Sequence, residues 1–198
     1  MRIRLDRPGA FDHVTHWRDH PWHATWIERP RLLASALAVS LGSVKTVVDP
    51  ACGDGWVVLR AHDLQPIDFA TFGDISRDTL ETLLPKQMPF GHEVVCQDAL
   101  TTLNAISPVD CIVLTEILEH LEDPDELLRV AREKARWLVA SSPIVPDGND
   151  HTDQHLWAFD MDGYREMLET AGWMPQVWFT ANAKDHPYAA GFQIWGCQ

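Results

Sequence analysis

The chain has 198 residues, 45% of them hydrophobic, which suits one domain with a buried core and a short extension. With 16 basic against 29 acidic residues its formal net charge is −13, and this argues against non-specific nucleic-acid binding, which needs clustered Lys and Arg. No apolar run approaches the roughly 20 residues that cross a bilayer, the opening MRIRLDRPGAFDH has no signal-like apolar stretch, and Cys52, Cys96, Cys111 and Cys197 form no CxxC pair, so a reducing, cytoplasmic setting is expected and no membrane partner.

Charge is uneven along the chain. Residues 1–31 carry six Arg against four acids, together with four His, whereas the remainder is strongly acidic. Residues 1–29 show no clear periodicity. Pro30 then opens PRLLASALAVSLG, which predicts a helix over 30–41 stopped by Gly42, with Leu33, Ala36, Leu37 and Leu41 on one face. KTVVD (45–49) reads as a buried strand and GWVVLRAHDL as a helix. IDFATFGD (67–74) reads as a second strand, and Ser76 caps a short helix that Pro85 stops. HEVVCQD (92–98) and DCIVLTE (110–116) are the third and fourth strands, the latter nearly all apolar, as a central parallel strand requires. Asp123, Pro124 and Glu126 form a capping-box-like start to a helix reaching about residue 134. ARWLVASSP (135–143) is a fifth strand, residues 161–171 form a helix stopped by Gly172, and PQVWFTA and GFQIWGC close the chain as an antiparallel pair. Strands alternating with helices predict an α/β, Rossmann-like doubly wound parallel sheet.

The stretch VVDPACGDGW (47–56) places Ala51, Gly53 and Gly55 at alternate positions where the first strand turns into a helix. Such a turn lets a ligand approach bare backbone, and it serves dinucleotides, phosphates and S-adenosylmethionine (SAM) alike. No Gly-Lys-Ser/Thr follows, so it is not a Walker loop, and the third glycine of the dinucleotide pattern is missing. Four acids, Asp49, Asp74, Asp98 and Glu116, fall at four strand ends, where carboxylates repel one another unless a ligand or cap compensates. Asp74 suits ribose hydroxyls, Asp98 an adenine amino group and Asp49 the ammonium of an amino-acid tail.

With these motifs the chain resembles a class I SAM-dependent methyltransferase over residues 44–198. VVDPACGDG is similar to that family's glycine loop, FGDIS to its ribose-binding strand end and CQDAL to its adenine-binding segment. LTEILEHLEDP and HLWAFDMDGYREMLETAGW resemble the type-11/23, ubiquinone-pathway-like small-molecule subgroup. The resemblance implies seven strands in the order 3-2-1-4-5-7-6 with strand seven antiparallel. Residues 1–42 would then be an N-terminal extension or lid with the first helix, and residues 43–198 the methyltransferase domain. It also implies that Asp49, Ala51, Gly53 and Gly55 hold the methionine part of SAM, Asp74 and Ile75 the ribose, and Asp98 and Ala99 the adenine, with Glu116 near the sulfonium. Ala51 stands where the family usually has its first glycine. DPACGDG is also similar to adenine-N6 DNA methyltransferases, but TEILEHL stands where their Asn/Asp-Pro-Pro-Tyr motif belongs.

Beyond the cofactor, Glu116, Glu119 and His120 have i, i+3, i+4 spacing and would share one helical face, and His151 and His155 repeat the i, i+4 spacing after the fifth strand. His120 or His155, with Glu116, would provide the base for a small-molecule hydroxyl or amine. Alternatively Glu116, Glu119, His120 and His155 would bind a divalent metal, a set that resembles the small-RNA 3′-terminal 2′-O-methyltransferases. A third reading is a non-catalytic SAM-binding partner subunit. Trp17, Trp22 and Trp26 sit in the His-rich segment before the fold proper and are expected to form a lid or substrate wall.

Overall fold

The computed structural model describes residues 1–5, 23–148, 154–182 and 191–198. In chain order these form β1 (Arg2–Arg4), α1 (His23–Ser40), β2 (Thr46–Asp49), α2 (Trp56–Leu64), β3 (Phe69–Asp74), α3 (Arg77–Thr82), β4 (Gly91–Cys96), α4 (Ala99–Ala105), β5 (Val109–Thr115), a 3-10 turn (Leu118–His120), α5 (Pro124–Lys134), β6 (Ala135–Ile144), β7 (Trp157–Phe159), α6 (Met161–Thr170), β8 (Pro175–Asn182) and β9 (Gly191–Cys197). Seven strands make one sheet in the order β4-β3-β2-β5-β6-β9-β8. β2, β3, β4, β5 and β6 pair in parallel, and β9 runs antiparallel between β6 and β8. This is the strand order and direction that the resemblance implies. The carboxyl ends of the parallel strands therefore lie along one edge, where a doubly wound sheet keeps its ligand crevice.

Both faces of the sheet are covered, which explains why β5 is apolar almost throughout. One core joins Leu37 and Ala38 of α1, Val57 and Ala61 of α2, and Phe72, Val113 and Ile194 of the sheet. The other joins Leu103 of α4, Leu127 and Leu128 of α5, Met167 and Trp173 around α6, and Ile112, Leu114 and Leu138. Helix starts are capped as their sequences dictate. The side chains of Ser76, Asp98, Asp123 and Asp160 each accept the backbone N–H three residues on.

Three features differ from the sequence expectation. α1 does not begin at Pro30 but at His23, so the proline is interior and buried rather than at the first turn. The buried face of α1 is Ala34, Leu37 and Ala38, and Ala36 is exposed. Small residues let this helix lie close to α2, where the Ser35 hydroxyl donates to the Val57 carbonyl at 2.9 Å. Finally β1 pairs antiparallel with β7, which lies directly after the histidine-bearing segment. Three residues rich in arginine carry no strand pattern of their own. Their partner makes them a strand, with the Arg2 guanidinium 4.2 Å from the Trp157 ring and ion-paired to Asp125. Among the described residues no helix is long and apolar enough to cross a membrane. Trp17, Trp22 and His151 lie outside the described residues, as does the side chain of Trp26.

Candidate functional site

The turn after β2 is built from backbone. Gly53 and Gly55 have φ values of 54° and 71°, the left-handed region that a side chain disfavours. Gly55 has no room for one either, since an added Cβ would lie 2.6 Å from Leu84 Cδ1. β3 closes against the same turn: a Cβ at Gly73 would sit 3.1 Å from the Pro50 main chain, and the Cys52 N–H donates to the Gly73 carbonyl at 2.8 Å.

The acids lie around this turn. Asp74, 3% exposed, accepts the Gly53 N–H at 3.1 Å on one oxygen and the Ser76 N–H at 2.8 Å on the other. Each oxygen keeps a further lone pair. Asp49 is 2% exposed, and burial pushes its carboxyl up to about 7; the Ala51 N–H and Arg31 oppose this, while Asp74 and Asp54 add to it. Arg31 reaches in from α1, ion-pairs with Asp54 and lies 4.9 Å from the Trp56 ring. Asp54 also accepts the Trp56 N–H at 3.1 Å. Arg31 and Asp54 were not among the residues singled out in the sequence, because a contact between a helix and a loop more than 20 positions on has no local pattern.

Ile75 is 74% exposed, an apolar side chain standing at the rim beside Asp74. Asp98 lies two residues beyond the end of β4 rather than in it. It caps α4, accepting from the Thr101 hydroxyl at 2.6 Å and the Thr101 N–H at 2.8 Å, and these bonds hold its carboxyl below the usual range. It remains exposed, and Ala99 behind it is buried.

At the end of β5 the structure corrects the expected helical face. Glu116 takes φ 55°, so the chain turns before the 3-10 turn of Leu118–His120 and Glu116 does not join Glu119 and His120 on one face. Candidate metal-ligand atoms of Glu119, His120 and His155 lie within 4.8 Å of one another, and Glu116 is not part of that group. The two histidine rings are 4.7 Å apart at 74°. What joins the two segments is main chain, with the Leu156 N–H on the Glu119 carbonyl at 2.7 Å and His120 Nδ1 2.9 Å from the Gln154 carbonyl. A carbonyl oxygen only accepts, so the contact places the ring proton on Nδ1. Glu116 instead accepts from the Ser141 hydroxyl, and burial pushes its carboxyl up to about 7 against that bond. The Tyr164 hydroxyl is fully buried, and its pKa is raised by burial and then by Glu119 and Glu116.

No protein-family model and no curated protein sequence matches the chain. Solved structures do. The 1,6-didemethyltoxoflavin-N1-methyltransferase of Burkholderia thailandensis, with bound 1,6-didemethyltoxoflavin and S-adenosylhomocysteine (SAH), superposes with a TM-score of 0.72 at 15% identity, covering 99% of this chain and 93% of that one. The N-methyltransferase NodS of Bradyrhizobium japonicum, in complex with SAH, gives 0.70 at 14% identity over 90% and 91% of the two chains. A putative methyltransferase in complex with the Haloferax volcanii Trm112 activator gives 0.69 at 14% identity over 96% and 98%. The fold is thus that of the class I SAM-dependent methyltransferases.

Proposed function

We propose that the chain is a SAM-dependent methyltransferase that acts on an oxygen or nitrogen nucleophile of a small molecule. The observation that carries this reading is Asp74: a buried carboxylate, tied to the N–H of Gly53, whose remaining lone pairs suit two adjacent hydroxyls. Asp49 and Arg31 offer opposite charges for an amino-acid tail at the same turn. Ile75 gives exposed apolar surface beside the ribose position, and Asp98 stands exposed on the adenine side with Ala99 packed behind it. The small-molecule acceptor is supported by the neighbours with N-methyltransferase activity and by the charge of −13.

When bound, SAM supplies an electrophilic methyl group on a sulfonium. The chain's own residues orient and deprotonate the acceptor. The imidazole of His120 or of His155 takes the proton from the attacking hydroxyl or amine, and Glu116, directly after β5, stands on the sulfonium side of the crevice. Incubating the protein with methyl-labelled SAM and fractionated metabolite pools tests this. Label should pass to a small molecule, and His155→Ala should cut the transfer by about 100-fold. Retention of all label on SAM across every pool, with cofactor bound, would instead favour a non-catalytic SAM-binding subunit.

A second reading has its own observation. Glu119, His120 and His155 present one carboxylate and two imidazoles close enough to share a divalent cation, and the Gln154 carbonyl on His120 Nδ1 is the outer hydrogen bond that metal-bound histidines usually keep. These residues would hold the metal, which would supply Lewis acidity toward an acceptor oxygen. Titration of the chelator-treated protein with Mn²⁺ or Zn²⁺ decides this, since micromolar binding lost in Glu119→Gln supports the reading and no binding at millimolar metal removes it.

A further inference from the structure

Glu116 is the one non-glycine residue with positive φ among the described residues. A left-handed backbone is disfavoured for any residue with a Cβ, and a desolvated carboxyl is disfavoured again. Such a residue persists only where its surroundings over-determine it. Here one neighbour does so at both ends. Ser141 lies opposite Thr115 in the β5–β6 ladder and is 2% exposed. Its carbonyl accepts the Glu116 N–H at 3.1 Å, and its hydroxyl donates to Glu116 Oε1.

We propose that Ser141 is a positioning residue that sets the cofactor's charge discrimination: its hydroxyl holds the Glu116 carboxylate at the crevice, so that cationic SAM is favoured relative to the neutral thioether of SAH. The inference rests on the SAM reading above. Loss of the hydroxyl frees the Glu116 side chain while the main-chain bond keeps its backbone in place, and a negative charge that has moved no longer distinguishes a sulfonium from a thioether. A hydrogen bond to a charged group is worth about a tenfold change in such a ratio.

The test is calorimetric. Dissociation constants for SAM and for SAH are measured at pH 8.5, where Glu116, raised by burial to about 7, carries its charge, on the full chain for wild type, Ser141→Ala, Ser141→Thr and Glu116→Gln. Ser141→Ala should move the ratio of the two constants about tenfold toward SAH, Ser141→Thr should keep the wild-type ratio because it keeps the hydroxyl, and Glu116→Gln should reproduce the alanine result even if Ser141→Ala does not fold. A merely structural serine would lower melting temperature and leave the ratio unchanged, which would overturn the inference while leaving the SAM site standing. Wild type that binds neither ligand would overturn both.

Discussion

Asp49→Asn should make the ligand-free protein more stable, and more so as pH rises. The Asp49 carboxyl has an ordinary value of 3.8 and stands at about 7 in the folded chain, chiefly through burial. The folded state therefore holds this proton more tightly than the unfolded chain, so unfolding releases a proton across that window. Wild-type stability is fully present below pH 4 and is lost as pH rises through about 7, by about 4 kcal/mol in total. The amide has no charge to desolvate, so it escapes this loss. The two proteins should be matched near pH 4, and the variant should lead by about 2–4 kcal/mol at pH 8. Urea denaturation followed by tryptophan fluorescence at pH 4.5, 6 and 8 measures it. Glu116, also raised by burial to about 7, is present in both proteins and cancels. A variant no more stable than wild type at pH 8, or a difference that does not change with pH, would refute the idea that a desolvated acid stands beside the glycine turn.

Other outcomes follow from the same geometry. Gly55→Ala, at φ 71° and with Leu84 in the way, should lower stability by about 1–3 kcal/mol, read as a fall in the urea midpoint. His155→Ala should cut methyl transfer by about 100-fold with SAH affinity changed less than twofold; an equal loss of both would place the histidine in the cofactor site instead. Arg31→Ala should weaken SAH, since it removes the cation described at the Asp54 side of the turn, and equal affinity in a titration would separate Arg31 from the amino-acid tail.

Much of the fold was legible because its signals are local. The small residues between β2 and α2, the apolar run of β5 and the caps at Ser76 and Asp123 each mark an element without reference to the rest of the chain. α1 was misread at its start because proline's preference for a first helical turn is a weak prior, and packing on the sheet overrides it here. β1 was invisible because it borrows its structure from β7. At the site, the strand-end acids were legible as a group, but their individual positions were not. Asp98 proves to be a cap and Glu116 a left-handed residue. The i, i+3, i+4 spacing implied a continuous helix through Glu116, and the chain instead breaks there, so that His155 rather than Glu116 meets Glu119 and His120. Arg31 and Ser141 act across long separations that no spacing reveals.

The central claim is a nucleoside cradle made of the glycine turn and Asp74. Calorimetric titration of SAH into wild type and Asp74→Ala tests it most directly. The account predicts one site per chain in wild type and at least about 50-fold weaker binding in the variant, because two buried hydroxyls lose their acceptor. Equal affinity in the two proteins, or no binding to wild type at millimolar SAH, would contradict it.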